Sequence, residues 1–167
     1  MASGDTLDTL LPIANEPPAS AAATINKRNA HWVLVFSGST DQEAVFTGVM
    51  PANYSAATGL TVIIFVAFTS ATSGSVRFQA AFERIDASGL DVDADSFASF
   101  QSAGGTAPGT SGQVIAVTIT FTAGAQVDSV VAGDLFRLKI RRDADGTSGT
   151  DDIATSAEVL GVHVKDT

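Results

Sequence analysis

Cysteine is absent from this 167-residue chain, which excludes a disulfide framework and any thiolate metal site. Charge is scarce: 16% of the residues are Asp, Glu, Lys or Arg, beside roughly 25% in ordinary soluble domains. Much of the surface must therefore be Ser, Thr, Ala and Gly, a composition suited to protein contacts. Cations are scarcer still. Nine Lys and Arg stand against eighteen Asp and Glu, for a net charge of −9, and only Lys139, Arg141 and Arg142 are clustered. Phosphate contact needs clustered cations, so nucleic acid is excluded as a partner. Trp32 is the only tryptophan. With no Trp-lined groove, both the carboxylate pair of a glycosidase and a carbohydrate-binding platform are disfavoured. Long apolar runs are also missing. The longest, Leu60–Phe68, is less than half of the ~20 residues that span a membrane. The first eight residues carry acids where a signal peptide carries bases, and Pro12 interrupts the apolar segment. The protein is thus expected to be made in the cytoplasm, soluble and without a membrane partner.

What the chain does have is hydrophobicity, 45% of its residues, arranged with a period of two. That is enough to fold, and the length is that of one domain. Leu60–Phe68 is the exception to the alternation: eight of its nine residues are apolar, at both parities. A strand shows alternate side chains to its two faces, so this one needs cover on both. One cover is the core. The other must come from an arm, a loop or a second copy of the chain, since an open strand of this composition invites aggregation.

Around it lie seven further predicted strands: His31–Phe36, Glu43–Met50, Val76–Ile85, Phe97–Ser102, Gln113–Thr122, Asp134–Arg142 and Ala157–Lys165. In the last, Leu160, Val162 and Val164 read as one face, against Glu158, Gly161 and His163. Turn-rich loops at 70–75, 86–95, 103–112 and 143–152 separate them. One helical turn is predicted at Ala125–Val131. No amphipathic helix longer than about two turns is present, so the fold is all-β: an antiparallel, eight-stranded, jelly-roll-like β-sandwich over residues 31–167. Residues 1–30 read as an extended N-terminal arm. Pro12, Pro17 and Pro18 force extended backbone there, a helical turn is possible at Thr6–Leu11, and the apolar Leu7, Leu10, Leu11 and Ile13 are candidate contacts to a neighbouring subunit. Ile63 and Phe65 of the central strand join them as candidate partner-binding residues.

Chemistry is sparse. His31 and His163 lie in predicted strands without zinc-ligand spacing, and no G-x-S-x-G nucleophile elbow occurs. The acidic loops are the one metal candidate, since alternate carboxylates at Asp91, Asp93 and Asp95, and again at Asp143 and Asp145, suit the oxygen ligation of calcium. The second loop departs from an EF-hand, with Ser148 where glycine is needed and Ala154 where a bidentate glutamate is needed. No catalytic residue and no cofactor are indicated, and the chain is expected not to be an enzyme.

Several stretches resemble small β-sandwich structural proteins of tailed bacteriophages. They are Gly4-Asp-Thr-Leu7 with the Pro-rich arm, Ala44-Val-Phe-Thr-Gly-Val-Met-Pro51, Ala71-Thr-Ser-Gly-Ser-Val-Arg-Phe78 running on to Phe82-Glu-Arg84, Asp93-Ala-Asp-Ser-Phe97, and Ala132-Gly-Asp-Leu-Phe-Arg-Leu-Lys-Ile-Arg-Arg-Asp143. The resemblance implies a virion component, commonly a homotrimer. It implies a capsid decoration (cement) protein whose arm straps the major capsid protein or another virion protein. The alternative it implies is a tail-fibre or receptor-binding module using loops 86–95, 103–112 and 143–152. The lack of a fibrous segment favours decoration.

Overall fold

A computed structural model describes residues 4–167; the first three residues of the expected arm lie outside the described residues. Ten strands form: β1 (Thr6–Leu10), β2 (Thr24–Arg28), β3 (His31–Phe36), β4 (Gln42–Val49), β5 (Leu60–Phe68), β6 (Ser75–Ile85), β7 (Gln101–Thr106), β8 (Ile115–Phe121), β9 (Leu135–Arg142) and β10 (Ala157–Asp166), with 3-10 turns at Pro12–Ala14 and Ala125–Val127. They make two antiparallel sheets. The first runs β2-β3-β10-β5-β8 with β1 also on β10, and the second runs β4-β9-β6-β7.

The strands β3 to β10 are the eight expected from alternation, and their order is a jelly roll. Chain neighbours β3 and β4, β5 and β6, β7 and β8, and β9 and β10 fall in opposite sheets, which is what two wrapped Greek keys require. One strand departs from its expected place: that expected at Phe97–Ser102 runs from Gln101 to Thr106. The core fills from the alternating inner faces. Phe36 of β3 meets Phe78 of β6 edge-on at 5.5 Å, and Phe82 of β6 meets Phe121 of β8 at 5.0 Å. Each such pair adds about 0.5–1.5 kcal/mol beyond area burial and ties one sheet to the other.

The arm is corrected. Residues 4–28 fold into the sandwich of their own chain. Thr6–Leu10 is a strand and not a helical turn, pairing with Val162–Lys165 of β10. Residues 15–23 follow the edge of β4, where Glu16 N–H donates to the Val45 carbonyl and Ala23 N–H to that of Glu43. β2 then closes a hairpin on β3. The packing is tight enough to require glycine at Gly48, where a side chain would collide with the Asp8 carboxylate and the Phe136 ring. Leu10 is buried in this chain's core and Leu7 packs against it, so neither is free to strap a neighbour.

The central strand obeys parity. Leu60, Val62, Ile64, Val66 and Phe68 are wholly buried, while Thr61, Ile63 and Phe65 are half-buried on the outer face. Part of their cover is internal, as the Phe65 ring stands edge-on to His163 of β10 at 4.8 Å.

Candidate functional site

The first sheet carries a discontinuity. Along one edge of β10, Ala157–Val159 pairs with β3 and Val162–Lys165 pairs with β1. On the other edge the register with β5 slips between Val159 and Gly161. This is a β-bulge, which admits one extra residue and re-aims a side chain. Its effect is to turn Leu160 outward. Alternation had placed Leu160 on one face with Val162 and Val164, but those two are buried in the core and Leu160 is half-exposed.

Two depressions open at this point. The first, with a cavity volume of about 280 Å³, is walled by Arg28, His31, Val33, Ala67, Val114 and Leu160. The second, about 220 Å³, lies where the Pro12–Ala14 turn crosses the split, between Leu11, Pro12 and Ile13 on one side and His31, Trp32 and Leu160 on the other. His31 and Leu160 belong to both, so they form one groove over the break in the sheet. Leu11, Ile13 and Trp32 remain 49%, 62% and 45% exposed. A concave site with apolar walls and few directed polar groups is the usual form of a small-ligand site.

The polar groups have identifiable positions. Arg28 Nη1 donates to the Phe68 carbonyl at 2.7 Å and to the Glu158 carboxylate, which ties the guanidinium to β5 and β10. Among the described residues, its other nitrogens have no hydrogen-bond partner. Gly112 is required beside it, since a Cβ there would lie 2.9 Å from Arg28 Nη2 and the backbone sits at φ +83. The Lys27 ammonium rests 4.2 Å from the centre of the Trp32 ring. Arg28 and His31 pair across the β2–β3 hairpin, as do Lys27 and Trp32, so one two-residue turn positions three lining residues, Arg28, His31 and Trp32.

Sequence reasoning reached Leu11 and Ile13 as contact residues but assigned them to a neighbouring subunit. It discounted Trp32 for being solitary and missed Arg28. Its signal for Arg28 and Trp32 was the pair of adjacent hairpin strands with Asn29-Ala30 between them. Ile63 lies away from the groove, lining a shallow depression with Gly4, Thr61, Lys165 and Thr167.

The calcium candidates divide. Asp143 and Asp145 come together with Asp41, which loop spacing gave no reason to include, and their ligand oxygens lie within 4.8 Å of one another. These carboxylates already have protein partners. Asp143 accepts from Thr147 Oγ1 at 2.9 Å, from Ser148 N–H at 2.8 Å and from the Ser148 hydroxyl, and Asp41 lies 3.6 Å from Arg141. Burial alone opposes the charge on Asp143, but the Ser148, Thr147 and Asp145 hydrogen bonds outweigh it and hold its pKa below the usual value. Asp91, Asp93 and Asp95 stay in the loop between β6 and β7, where Asp91 accepts from Asp93 N–H as a turn residue does.

No family model matches the sequence, and no curated protein matches it. Solved structures do share its fold. It is similar to a family 35 carbohydrate-binding module from an environmental isolate (10% identity, 95% of this chain and 92% of that one, TM-score 0.55). It is also similar to the CBM22-2 xylan-binding domain of Paenibacillus barcinonensis Xyn10C (13% identity, 96% and 99%, TM-score 0.51). In a Clostridium thermocellum xylanase 10B structure, all of this chain matches 29% of the other, at 11% identity and a TM-score of 0.51. The likeness is to binding modules, in keeping with a chain expected not to be an enzyme. It overturns capsid decoration and the tail-fibre alternative. The shared architecture is that of carbohydrate-binding modules, and the arm that was to grip the capsid is two strands of this chain's own sheet.

Proposed function

We propose that the chain is a non-catalytic glycan-binding module that holds a stretch of polysaccharide in the groove over the broken sheet. The observation that carries this reading is the groove itself: an exposed indole, apolar walls from Leu11, Ile13 and Leu160, and unclaimed Arg28 donors at its far end. A sugar ring has apolar faces and a polar rim. It stacks on an aromatic surface with its apolar face while its hydroxyls meet fixed donors, and a largely preformed site keeps the ordering cost low. The jelly-roll likeness to xylan-binding domains supports the reading at the level of fold, and fold by itself does not assign function.

The test is affinity electrophoresis of the full chain in gels cast with soluble xylan, mannan or mixed-linkage β-glucan. Retarded migration in at least one is expected. Trp32→Ala should abolish it, since a central aromatic anchor commonly contributes 2 kcal/mol or more, about 30-fold in affinity. Unretarded migration in every gel would remove the proposal.

A further inference from the structure

Resting on that reading, we infer that Glu158 is a positioning residue for the glycan: it does not touch the ligand, and it sets the arginine that does. Among the ion pairs of the described residues, Arg28–Glu158 alone has its cation in the groove wall. The two ends of the pair differ in access. The Arg28 side chain is 33% exposed and that of Glu158 9%, and Glu158 lines neither half of the groove. A ligand seated there meets the guanidinium and not the carboxylate.

A guanidinium has five N–H donors in one plane, two of them on Nη1. Those two are taken by the Phe68 carbonyl on β5 and the Glu158 carboxylate on β10, which leaves the three on Nε and Nη2 for sugar hydroxyls. Because the fork is planar, two fixed bonds at Nη1 also fix the direction of the other three. Glu158 is itself held on both sides. It pairs with Val35 of β3 and Ala67 of β5, just before the bulge that turns Leu160 outward. The same guanidinium seats the far wall, since Gly112 lies against Nη2, two residues from the lining Val114. A buried ion pair adds little net stability over an apolar filling of similar volume, so its consequence here is orientation. Donors held in place before the ligand arrives bind it without the cost of ordering a long side chain.

Affinity electrophoresis of the full chain over a range of soluble xylan, mannan and mixed-linkage β-glucan concentrations yields the dissociation constants that test this. In whichever polymer retards the native chain, Glu158→Ala should weaken binding about ten-fold. The same substitution on an Arg28→Ala background should change affinity by less than about two-fold, because Glu158 acts only through Arg28. Glu158→Gln keeps the shape and a neutral acceptor, so its affinity should lie between those of the native chain and Glu158→Ala, and it carries the test if the alanine variant does not fold. Native affinity in the Glu158 variants overturns the inference, as does an equal loss with and without Arg28. Both results leave the glycan reading standing. A native chain retarded by none of the three polymers overturns that reading and this inference with it.

Discussion

The two sheets present opposite outer faces. That of the second sheet is closed on itself. Arg137 pairs with Glu83 at 2.6 Å, Lys139 with Glu43 at 3.3 Å, and Arg141 with Asp41 and Gln79. The segment before β7 lays Phe97 over Lys139 and Arg137, and Phe100 over Arg141. That of the first sheet is broken by a bulge and lined by apolar side chains, with Arg28 held to Glu158 through Nη1 and Lys27 in no ion pair among the described residues. Polar groups that satisfy one another stabilise a fold, and polar groups left over are free to recognise something else.

The largest test of this contrast lies where the second sheet meets its last loop. Arg142 and Asp151 are almost fully buried and bonded by two contacts of 2.7 and 2.9 Å, and Arg142 also donates to the carbonyls of Ile153 and Thr155. Removing one partner of a buried pair strands the other charge, so Asp151→Ala should lower unfolding free energy by about 3–5 kcal/mol in urea denaturation. Truncations in the groove, Trp32→Ala or Ile13→Ala, should stay within about 0.5–1 kcal/mol. Comparable losses on both faces would erase the distinction.

Asp143 comes next. Asp143→Ala leaves the Ser148 and Thr147 donors unmatched and should cost about 1–3 kcal/mol. Its pH signature has a definite sign. The folded carboxyl titrates below the ordinary 3.8, so the unfolded chain binds the proton more tightly. The stabilisation is present above pH 4 and is lost as pH falls through the lower folded value. Between about pH 4 and pH 2 the thermal midpoint of Asp143→Ala should therefore fall less steeply than that of the native chain; parallel curves would refute this account.

Phe97→Ala should cost about 1–2 kcal/mol, from lost ring burial and two cation–π contacts. Proteolysis of the 86–100 segment should accelerate while glycan binding is unchanged. Weakened binding would mean that the second sheet, and not the first, carries the site.

How far these faces were legible in the sequence depends on periodicity. The inner faces of β6, β8 and β9 alternate strictly, as in Phe136-Leu138-Ile140 against Arg137-Lys139-Arg141, and such strands declare themselves. β2 reads Thr-Ile-Asn-Lys-Arg, an exposed edge strand with one apolar residue, and β1 mixes acids with leucines. Both are held by pairing with β3 and β10 and not by their own pattern, so an arm was the natural reading. Leu160 defeated alternation because a bulge shifts parity by one residue, and no glycine or proline signal beyond Gly161 marks it. The groove exists because of that shift, which is why the carbohydrate platform looked absent when Trp32 was considered alone. Asp143 and Asp145 were visible as neighbours, whereas Asp41 joins them only through the β4–β9 pairing.

The smallest expected effect is a gain, and it lies in the groove wall. Arg28 and His31 close the β2–β3 hairpin, so its two turn residues are Asn29 and Ala30, at φ 43 and φ 68. A two-residue turn with both centres at positive φ is the type I′ geometry that suits the twist of the strands, and it favours Asn followed by Gly. Asn29 fits; Ala30 places a Cβ where the left-handed region costs an L-residue about 1–2 kcal/mol. Glycine removes that cost but loosens the unfolded chain by about 0.4–1 kcal/mol, so Ala30→Gly should leave a net stabilisation of about 0.5 kcal/mol, read as a small rise in the thermal midpoint. Because the turn keeps its shape, Arg28 and Trp32 stay in place and glycan affinity should not change. A lower midpoint would show that the turn is not strained at Ala30, and weakened binding with a raised midpoint would show that the strain itself holds the groove in its binding form.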